Sequence, residues 1–266
     1  MKKNINKNYK SVFVMLICLF AICLAGCAAK SQVVYEKAVK PLRIGISTTY
    51  PPVAFKEKVG GNPVGIEVDF AKKLSRKLSR PIQFVELKFD QLIPALLKNE
   101  IDIIMSGMSV TKARQVRIAF TEPYLTNGLM TLMRDETIKE YDTPEKLYST
   151  TGTIGVQKDT TADTFVRRKC PYANVASYLL KSDAVRQLKN GTINFVVADA
   201  PAVAWYVSEN ETELTALFVP LTEEYLAWGV RHNDKQLQNS LNAVLNDWRK
   251  DGTLKAVLKS WLPYYK

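Results

Sequence analysis

The sequence predicts an α/β fold, because short and nearly continuous apolar runs are each followed by a polar turn and the start of a helix. Residues 101–105 form one such run, and residues 193–198 form another. Runs of this kind are typical of strands that are covered on both faces. In open α/β sheets, ligands bind where such strands end. The polar residues that follow these two runs are therefore the first candidates for a binding site.

The start of the chain has the pattern of a secretory signal peptide, predicted to span residues 1–26. Residues 1–10 carry four lysines and no acidic residue, and residues 12–24 are apolar and uncharged. A positive segment followed by a short apolar one is the signature of such a signal. The apolar run is too short to span a bilayer comfortably.

The signal ends in Leu24-Ala25-Gly26-Cys27, which resembles a bacterial lipobox, in which the cysteine is lipidated and becomes the mature N terminus. The alternative is an ordinary cleaved signal followed by a coincidental cysteine. The lipobox predicts an extracytoplasmic protein anchored to membrane lipid through Cys27, in a periplasm or at the outer face of the cell membrane. Residues 27–40 show no sustained periodicity and are predicted to form a tether.

Cysteine content and charge argue against several other classes of protein. Cys18 and Cys23 lie in the predicted signal and Cys27 would carry lipid, so Cys170 is the only thiol of the mature chain and no internal disulfide can form. Cys170 has no Cys or His near it in sequence, and we expect a structural thiol, not a metal or redox site. Without the four lysines of the signal, 33 basic and 26 acidic residues remain, a balance of +7 with no long basic run. This balance indicates attraction to an anionic membrane surface and no nucleic-acid partner.

The first strand is predicted at residues 42–47, where apolar and polar side chains alternate. Residues 48–52 break it with two prolines, so Tyr50 stands on a stiff loop at the carboxyl end of a strand. A turn at residues 60–63 precedes a helix predicted from Val68 to Pro81. Its apolar face has four-residue spacing and consists of Phe70, Leu74 and Leu78.

Two acidic residues near the start of that helix, Glu67 and Asp69, invite a metal or acid–base interpretation. Acidic residues at a helix start are, however, ordinary partners of the helix dipole, and we favour that structural role. Residues 84–87 are predicted to form the next strand, and Asp90 is predicted to cap the helix that follows. Phe89 is placed either against a ligand or in the core.

The strand at residues 101–105 leads into Ser106-Gly107-Met108-Ser109, where small residues let the backbone approach a ligand closely. Arg114 follows in what is predicted to be the first helical turn after Thr111. Its guanidinium and the amides of the helix start could converge on one anion. The alternative is a core strand followed by a solvated helix start.

The second half of the chain repeats this arrangement. Residues 154–156 are a predicted strand, and Thr160 and Thr161 stand in a hydroxyl-rich turn that enters a helix, where their amides and hydroxyls can bind an anion. Asp159 in this turn is a residue that tolerates a left-handed conformation.

A further helix is predicted from a cap at Ser182 to Gly191, followed by the strand at residues 193–198. This strand delivers Asp199 at its carboxyl end, and an acidic residue there is costly unless it meets a cation or caps a helix. We favour a ligand-binding role over an N-cap of the helix that begins at Pro201, although the two can coexist.

Together these stretches resemble the amino-acid family of extracytoplasmic solute-binding proteins of ABC transporters, over about residues 41–266. The resemblance implies the type II periplasmic-binding-protein fold, with two α/β lobes, a hinge and an interlobe cleft. It implies a first lobe at residues 41–126 and 225–266, and a second lobe at residues 127–224. The segment at residues 118–124 resembles the family's segment that leads into the first interdomain crossing.

The resemblance also implies how a ligand is held. In the family, the small-residue turn gives a backbone carbonyl and a hydroxyl to the ligand's α-ammonium group, at positions that fall here on Gly107 and Ser109. The acid that matches Asp199 binds the same group, and Ser106 of the same turn is counted among the ligand-binding residues. An α-carboxylate binds at Arg114, with further donors at Thr160 and Thr161. Tyr50 and Phe89 match aromatic positions that face the ligand's variable part. Ser47 replaces an acidic residue that many members carry, so the side chain of the ligand is not identified.

The function implied is capture of an amino acid or similar small zwitterion and its delivery to an ABC permease by a monomer without cofactor or metal. His232 is the only histidine, and there is no P-loop and no dinucleotide fingerprint. A first alternative is an enzyme similar to periplasmic cyclohexadienyl dehydratases, which share the fold, with Lys158, Glu122 and Asp199 as acid–base groups. A second alternative is an extracellular ligand sensor that reports to a membrane partner.

Overall fold

The structure is a computed structural model that describes residues 39–263. The fold lies within the compact unit that begins at Lys40. The predicted signal peptide, the Cys27 lipidation site and residues 28–38 of the predicted tether lie outside the described residues. Between residues 39 and 263, no helix combines the length and the apolar character needed to cross a membrane.

Strands and helices alternate along most of this unit. The strands are, in chain order, Leu42–Ile46 (β1), Thr49–Tyr50 (β2), Ala54–Phe55 (β3), Ile82–Glu86 (β4), Ile103–Ile104 (β5), Ala119–Phe120 (β6), Leu125–Asn127 (β7), Leu129–Arg134 (β8), Thr153–Gln157 (β9), Asn174–Tyr178 (β10), Phe195–Asp199 (β11), Leu214–Leu217 (β12), Glu224–Leu226 (β13) and Gly229–Val230 (β14). The α-helices are Ile66–Lys77 (α1), Leu92–Leu97 (α2), Lys112–Gln115 (α3), Pro144–Tyr148 (α4), Thr161–Lys169 (α5), Lys181–Lys189 (α6), Ala200–Ser208 (α7), Lys235–Lys250 (α8) and Thr253–Trp261 (α9).

Two five-stranded sheets organise the fold, as the α/β prediction requires. The first has the order β4-β1-β5-β14-β6, with β1 parallel to β4 and β5 and with β14 antiparallel to its neighbours. The second has the order β10-β9-β11-β8-β12, with β9 parallel to β10 and β11 and with β8 antiparallel to its neighbours. Each sheet therefore places the carboxyl ends of parallel strands at one edge, where β5 and β11 deliver their turns.

A separate antiparallel ribbon pairs β7 with β13, at the places where the chain passes between the two sheets. The lobe boundaries predicted at residues 126/127 and 224/225 fall inside this ribbon. The division into lobes at those residues, and the action of the ribbon as a hinge, stay predictions.

Each sheet has its own hydrophobic core. In the first, Phe70 of α1 stacks on Trp248 of α8 at 5.7 Å between ring centroids and meets the edge of the fully buried Trp228. In the second, Phe195 of β11 packs against Tyr141 and lies in the same cluster as Cys170. Cys170 is buried, and desolvation raises the pKa of its thiol to about 11. A buried, protonated thiol is unreactive, in agreement with the structural role expected for it.

Three predicted helix starts are wrong in detail. The helix predicted to begin at Val68 begins at Ile66, because the backbone carbonyls of Pro52 and Val53 accept the first amides and replace a side-chain cap. Asp90 does not cap α2, since it lies in a 3₁₀ turn at Phe89–Gln91 that leads directly into the helix.

Ser182 does not cap α6 either. The helix begins one residue earlier, at Lys181, with Leu180 at the N-cap position and no side-chain cap. The prediction for Asp159 is confirmed, since its φ of 61° lies in the left-handed region.

Candidate ligand-binding site

One small pocket lies where the turns of the two sheets meet, and it brings together all the predicted ligand-binding residues. These residues are Tyr50, Phe89, Ser106, Gly107, Ser109, Arg114, Thr160, Thr161 and Asp199. The pocket leaves about 20 Å³ of free space, which is room for about one water molecule. It adjoins a larger cavity of about 510 Å³, with which it shares Ser47, Thr49, Phe89 and Gln157. That these side chains bind a ligand stays a prediction, although their convergence is what such a site requires.

The turn after β5 is shaped by a glycine that no other residue could replace without strain. Gly107 has a φ of +62°, and a Cβ atom there would lie 2.8 Å from the ring of Tyr50 and 2.9 Å from the side chain of Val53. Its amide donates to Oε1 of Glu67 at 3.0 Å. Beside it, the hydroxyl oxygen of Ser106 accepts from the amide of Ser47 at 2.9 Å. The turn therefore presents backbone and small side chains to the pocket from a fixed position.

Glu67 stabilises this turn by accepting the hydrogen bond from the Gly107 amide. It is fully buried, and its carboxylate also accepts from the Tyr124 hydroxyl at 2.9 Å and from the indole nitrogen of Trp228 at 2.8 Å. Burial raises the pKa of Glu67 to about 7, against the opposing effect of these hydrogen bonds. Within residues 39–263, no cation forms a salt bridge with it. The sequence predicted a helix-dipole partner, and Glu67 does lie in the first turn of α1, but its hydrogen bonds make it a support of the candidate site.

Arg114 lies in the short helix α3 after Thr111, as predicted, and it lines the pocket. Thr111 caps this helix, with its hydroxyl accepting from the amide of Arg114 at 3.2 Å. The guanidinium donates from Nη1 to the carbonyl of Ser109 at 2.7 Å and lies 5.4 Å from the ring centroid of Phe89. Its other nitrogens form no hydrogen bond with the part of the chain that the structure describes, so they are available to an anion.

Burial also lowers the pKa of the Arg114 guanidinium, an effect that the charges of Asp199 and Glu224 oppose. Arginine stays protonated under all ordinary conditions. A buried, permanently charged group with unused donors favours an anionic partner.

The turn after β9 contributes a helix start. Thr160 caps the nine-residue helix α5, since its hydroxyl accepts from the amide of Asp163 at 3.4 Å and donates to the carbonyl of Gln157 at 2.6 Å. This hydroxyl is therefore engaged within the protein. The prediction of an anion donor here depends on the backbone amides at the helix start and on the hydroxyl of Thr161.

Asp199 stands at the N-cap position of α7, but its side chain makes no capping hydrogen bond. Its Oδ1 accepts from the side-chain amide of Asn127 at 2.8 Å, and its Oδ2 accepts from Nζ of Lys181 at 3.3 Å. The carboxylate therefore faces the pocket, where it already has a cationic partner. The capping alternative does not describe this side chain.

Lys181 is the pocket residue that the sequence analysis missed, together with the polar residues Thr49 and Gln157 at strand ends. It is only 4% exposed, and its Nζ lies 3.7 Å from the centroid of the Tyr50 ring. Burial lowers the pKa of its ammonium group, and the interaction with Asp199 opposes this. No signal for Lys181 was present in the sequence, because the helix was predicted with its cap at Ser182, which placed Lys181 before the helix start.

The acid–base groups of the enzyme alternative are not brought together. Asp199 lines the pocket, whereas Lys158 lines only the larger adjoining cavity. Glu122 is exposed and lines a different cavity, near His232.

An α/β protein with two sheets, in which a guanidinium from one and a carboxylate from the other face a common pocket, has the construction of a solute-binding protein. The chain belongs to the bacterial extracellular solute-binding proteins of family 3, which residues 42–264 match.

Characterised relatives are similar over nearly the whole fold. The ABC transporter arginine-binding protein 1 of Escherichia coli (strain K12) is 30% identical over 233 residues, which are 85% of this chain and 92% of that protein. The crystal structure of a mutant of ArgBP from T. maritima is 32% identical, with a TM-score of 0.77 over 84% of this chain and 95% of that one. An ancestral amino acid-binding protein, described as a precursor of cyclohexadienyl dehydratase, is 29% identical, with a TM-score of 0.77 over 85% of this chain and 95% of that one.

Proposed function

We propose that this protein captures an amino acid outside the cytoplasm and delivers it to the permease of an ABC importer. The observation that carries the proposal is the placement of Arg114 and Asp199 in one pocket, because a cation and a carboxylate together can hold the two charges of a zwitterion. The family, and relatives that are amino-acid-binding proteins of ABC transporters, support the delivery step.

The two charged groups come from different sheets, so a ligand that binds both also links the sheets. Arg114 follows β5 in the first sheet, and Asp199 ends β11 in the second. We expect the ligand to draw the lobes together about the ribbon of β7 and β13, since hinge closure around a ligand is a common transition in binding proteins. Closure excludes water, which strengthens the hydrogen bonds to both charges.

A screen of ligands tests this proposal directly. The purified protein is heated with each common amino acid and, as matched controls, with the corresponding deaminated acids and decarboxylated amines. An amino acid at a hundred times its dissociation constant stabilises the folded state by about 2.7 kcal/mol, whereas analogues that lack either charged group stabilise it less. If no amino acid raises the melting temperature, or if the deaminated acids act as well as the amino acids, the proposal is wrong.

Catalysis is a second candidate, favoured by the similarity to the ancestral precursor of cyclohexadienyl dehydratase. We propose binding without catalysis, because Asp199 is the one suggested acid–base group that lines the pocket. Incubation of the purified protein with prephenate or arogenate, followed by chromatography for the aromatic product, separates the two functions. Turnover above that of an Asp199→Asn variant would establish the enzyme.

We further propose that the protein acts as a monomer held at the membrane by lipid on Cys27. The signal pattern and lipobox at the start of the chain support this anchoring. A tethered binding protein stays close to its permease, which raises its effective concentration there.

A further inference from the structure

The pocket contains a buried lysine, Lys181, whose ammonium group lies against both Asp199 and Tyr50. Nζ of Lys181 is 3.3 Å from Oδ2 of Asp199 and 3.7 Å from the centroid of the Tyr50 ring. Its side chain is 5% exposed, and that of Asp199 is 14% exposed. Any ligand held by Arg114 and Asp199 with its variable part against Tyr50 therefore lies beside this third charge.

Two basic residues face the one acidic residue that lines the pocket. Among the lining residues, Arg114 and Lys181 are basic, and Asp199 is the one acidic residue. Outside the lining, the charge of Glu224 acts on Arg114, and its buried Oε2 has no hydrogen-bond partner among the described residues. Glu224 therefore offsets Arg114, and a zwitterion bound to Arg114 and Asp199 brings one charge of each sign but no carboxylate for Lys181.

Binding would also remove part of the stabilisation of Lys181. Asp199 is its salt-bridge partner in the described part of the chain, and a ligand ammonium group would share that carboxylate. A buried ammonium group is costly without a counter-charge. A second carboxylate on the ligand would supply the missing partner.

A ligand with a cationic side chain would instead be repelled by Lys181. The face of Tyr50, which could otherwise hold a cation, already carries the Lys181 ammonium group. From this charge arrangement, and resting on the proposed function, we propose that the ligand is an acidic amino acid whose side-chain carboxylate pairs with Lys181. In this assignment Arg114 binds the α-carboxylate, and Asp199 binds the α-ammonium group.

A long cationic side chain of a ligand could instead extend into the adjoining cavity. That cavity is lined by Glu86, Asp90 and Asp159, and also by Lys88 and Lys158. Glu86 is already paired with Lys56 at 2.8 Å. With Glu86 paired, two acidic and two basic residues remain in the lining, so the cavity carries no excess of negative charge that would attract a guanidinium or an ammonium group past Lys181.

The test is calorimetric titration of the full-length protein, and of its Lys181→Met and Lys181→Arg variants, with glutamate, aspartate, glutamine, arginine and lysine. Glutamine is the neutral isostere of glutamate, so the ratio of their affinities isolates the side-chain charge. A hydrogen bond to a charged group contributes about 1.5 to 3 kcal/mol, so we expect the parent protein to bind glutamate or aspartate about 10- to 150-fold more tightly than glutamine.

Lys181→Met keeps the apolar stem and removes the charge. It should bring the affinities of glutamate and glutamine to within about threefold and raise the affinity for arginine relative to glutamate. Lys181→Arg keeps the charge and should keep the preference for acidic amino acids. It is the control that separates loss of the charge from general effects of replacing Lys181. Circular dichroism of both variants reports their folding.

A parent protein that prefers arginine, lysine or glutamine overturns the assignment of the acidic ligand and leaves amino-acid capture intact. An unchanged ratio of glutamate to glutamine in a folded Lys181→Met variant overturns the role of Lys181. Failure of all five amino acids, and of the wider screen, is the separate result that would remove the proposed function itself.

Discussion

Replacement of Glu67 by glutamine should abolish a pH dependence of stability that this one buried carboxyl group produces. The unfolded chain releases the proton of Glu67 near pH 4.5, whereas the folded protein holds it until a pKa of about 7. Between these values the folded state binds more protons, so each rise in pH favours the unfolded state. Above pH 7 the buried group is charged and the loss is complete.

The magnitude follows from the size of the shift. Each pKa unit corresponds to about 1.4 kcal/mol, so Glu67 should lower the free energy of unfolding by about 2 to 3 kcal/mol between pH 5 and pH 8. In Glu67→Gln this part of the change disappears. The variant should lose stability at pH 5, because its amide nitrogen can face the Trp228 indole, which needs an acceptor. This loss should shrink at pH 8, where the parent protein buries a charge that the variant lacks.

Urea unfolding of the parent, Glu67→Gln and Asp69→Asn at the two pH values measures this difference. Asp69 is a matched control, since it lies in the same helical turn and accepts from the Trp261 indole at 2.9 Å, but is not buried. Other titrating groups contribute alike to all three proteins. If the parent and Glu67→Gln lose the same stability between pH 5 and pH 8, the account of Glu67 is refuted.

Three further predictions concern the site, the hinge and the anchor. Arg114→Ala should weaken binding of the best amino acid by about 30-fold to several thousand-fold in a calorimetric titration. Arg114→Lys should not restore the affinity, since an ammonium group lacks the planar fork of a guanidinium. Unchanged affinity in Arg114→Ala would contradict the proposed role of Arg114 in binding a carboxylate. Small-angle scattering should show a smaller radius of gyration with saturating ligand, and an identical profile would argue for a rigid molecule. Cys27→Ser should release the protein from membranes, and a variant that still sediments with them after a high-salt wash would rule out the lipid anchor.

Much of the site could be predicted because its residues follow local rules. Arg114 stands in a helix whose cap, Thr111, is recognisable in the sequence, and Asp199 directly follows a buried apolar run. Strand, turn and helix start are encoded within a few residues, and topology brings the carboxyl ends of parallel strands to one edge. These local rules indicated which turns end the buried strands of each sheet, whereas the meeting of turns from the two sheets was implied by the family resemblance and not by local rules.

Glu67 and Lys181 show why the rest could not be predicted. The partners of Glu67 are Gly107, Tyr124 and Trp228, which lie 40, 57 and 161 residues away along the chain. Lys181 meets Asp199 across 18 residues and meets Tyr50 of β2, which pairs with β3 outside the two five-stranded sheets. Local propensity describes neither contact, because both depend on tertiary packing that buries a charge.

The supporting contacts also explain how the two sheets can share one site. Glu67 fixes the Gly107 turn within the first sheet, and Asn127, at the end of the ribbon strand β7, donates to Asp199 at the end of the second. The Gly107 turn and the Asp199 carboxylate are thus each held by hydrogen bonds within the protein, while Lys181 reaches from α6 to Tyr50 of β2. In the proposed binding mode Asp199 would be shared by Lys181 and the ammonium group of the ligand, so the affinity would depend on how the two cations share this carboxylate. A ligand with a second carboxylate resolves it without leaving a buried cation unpaired.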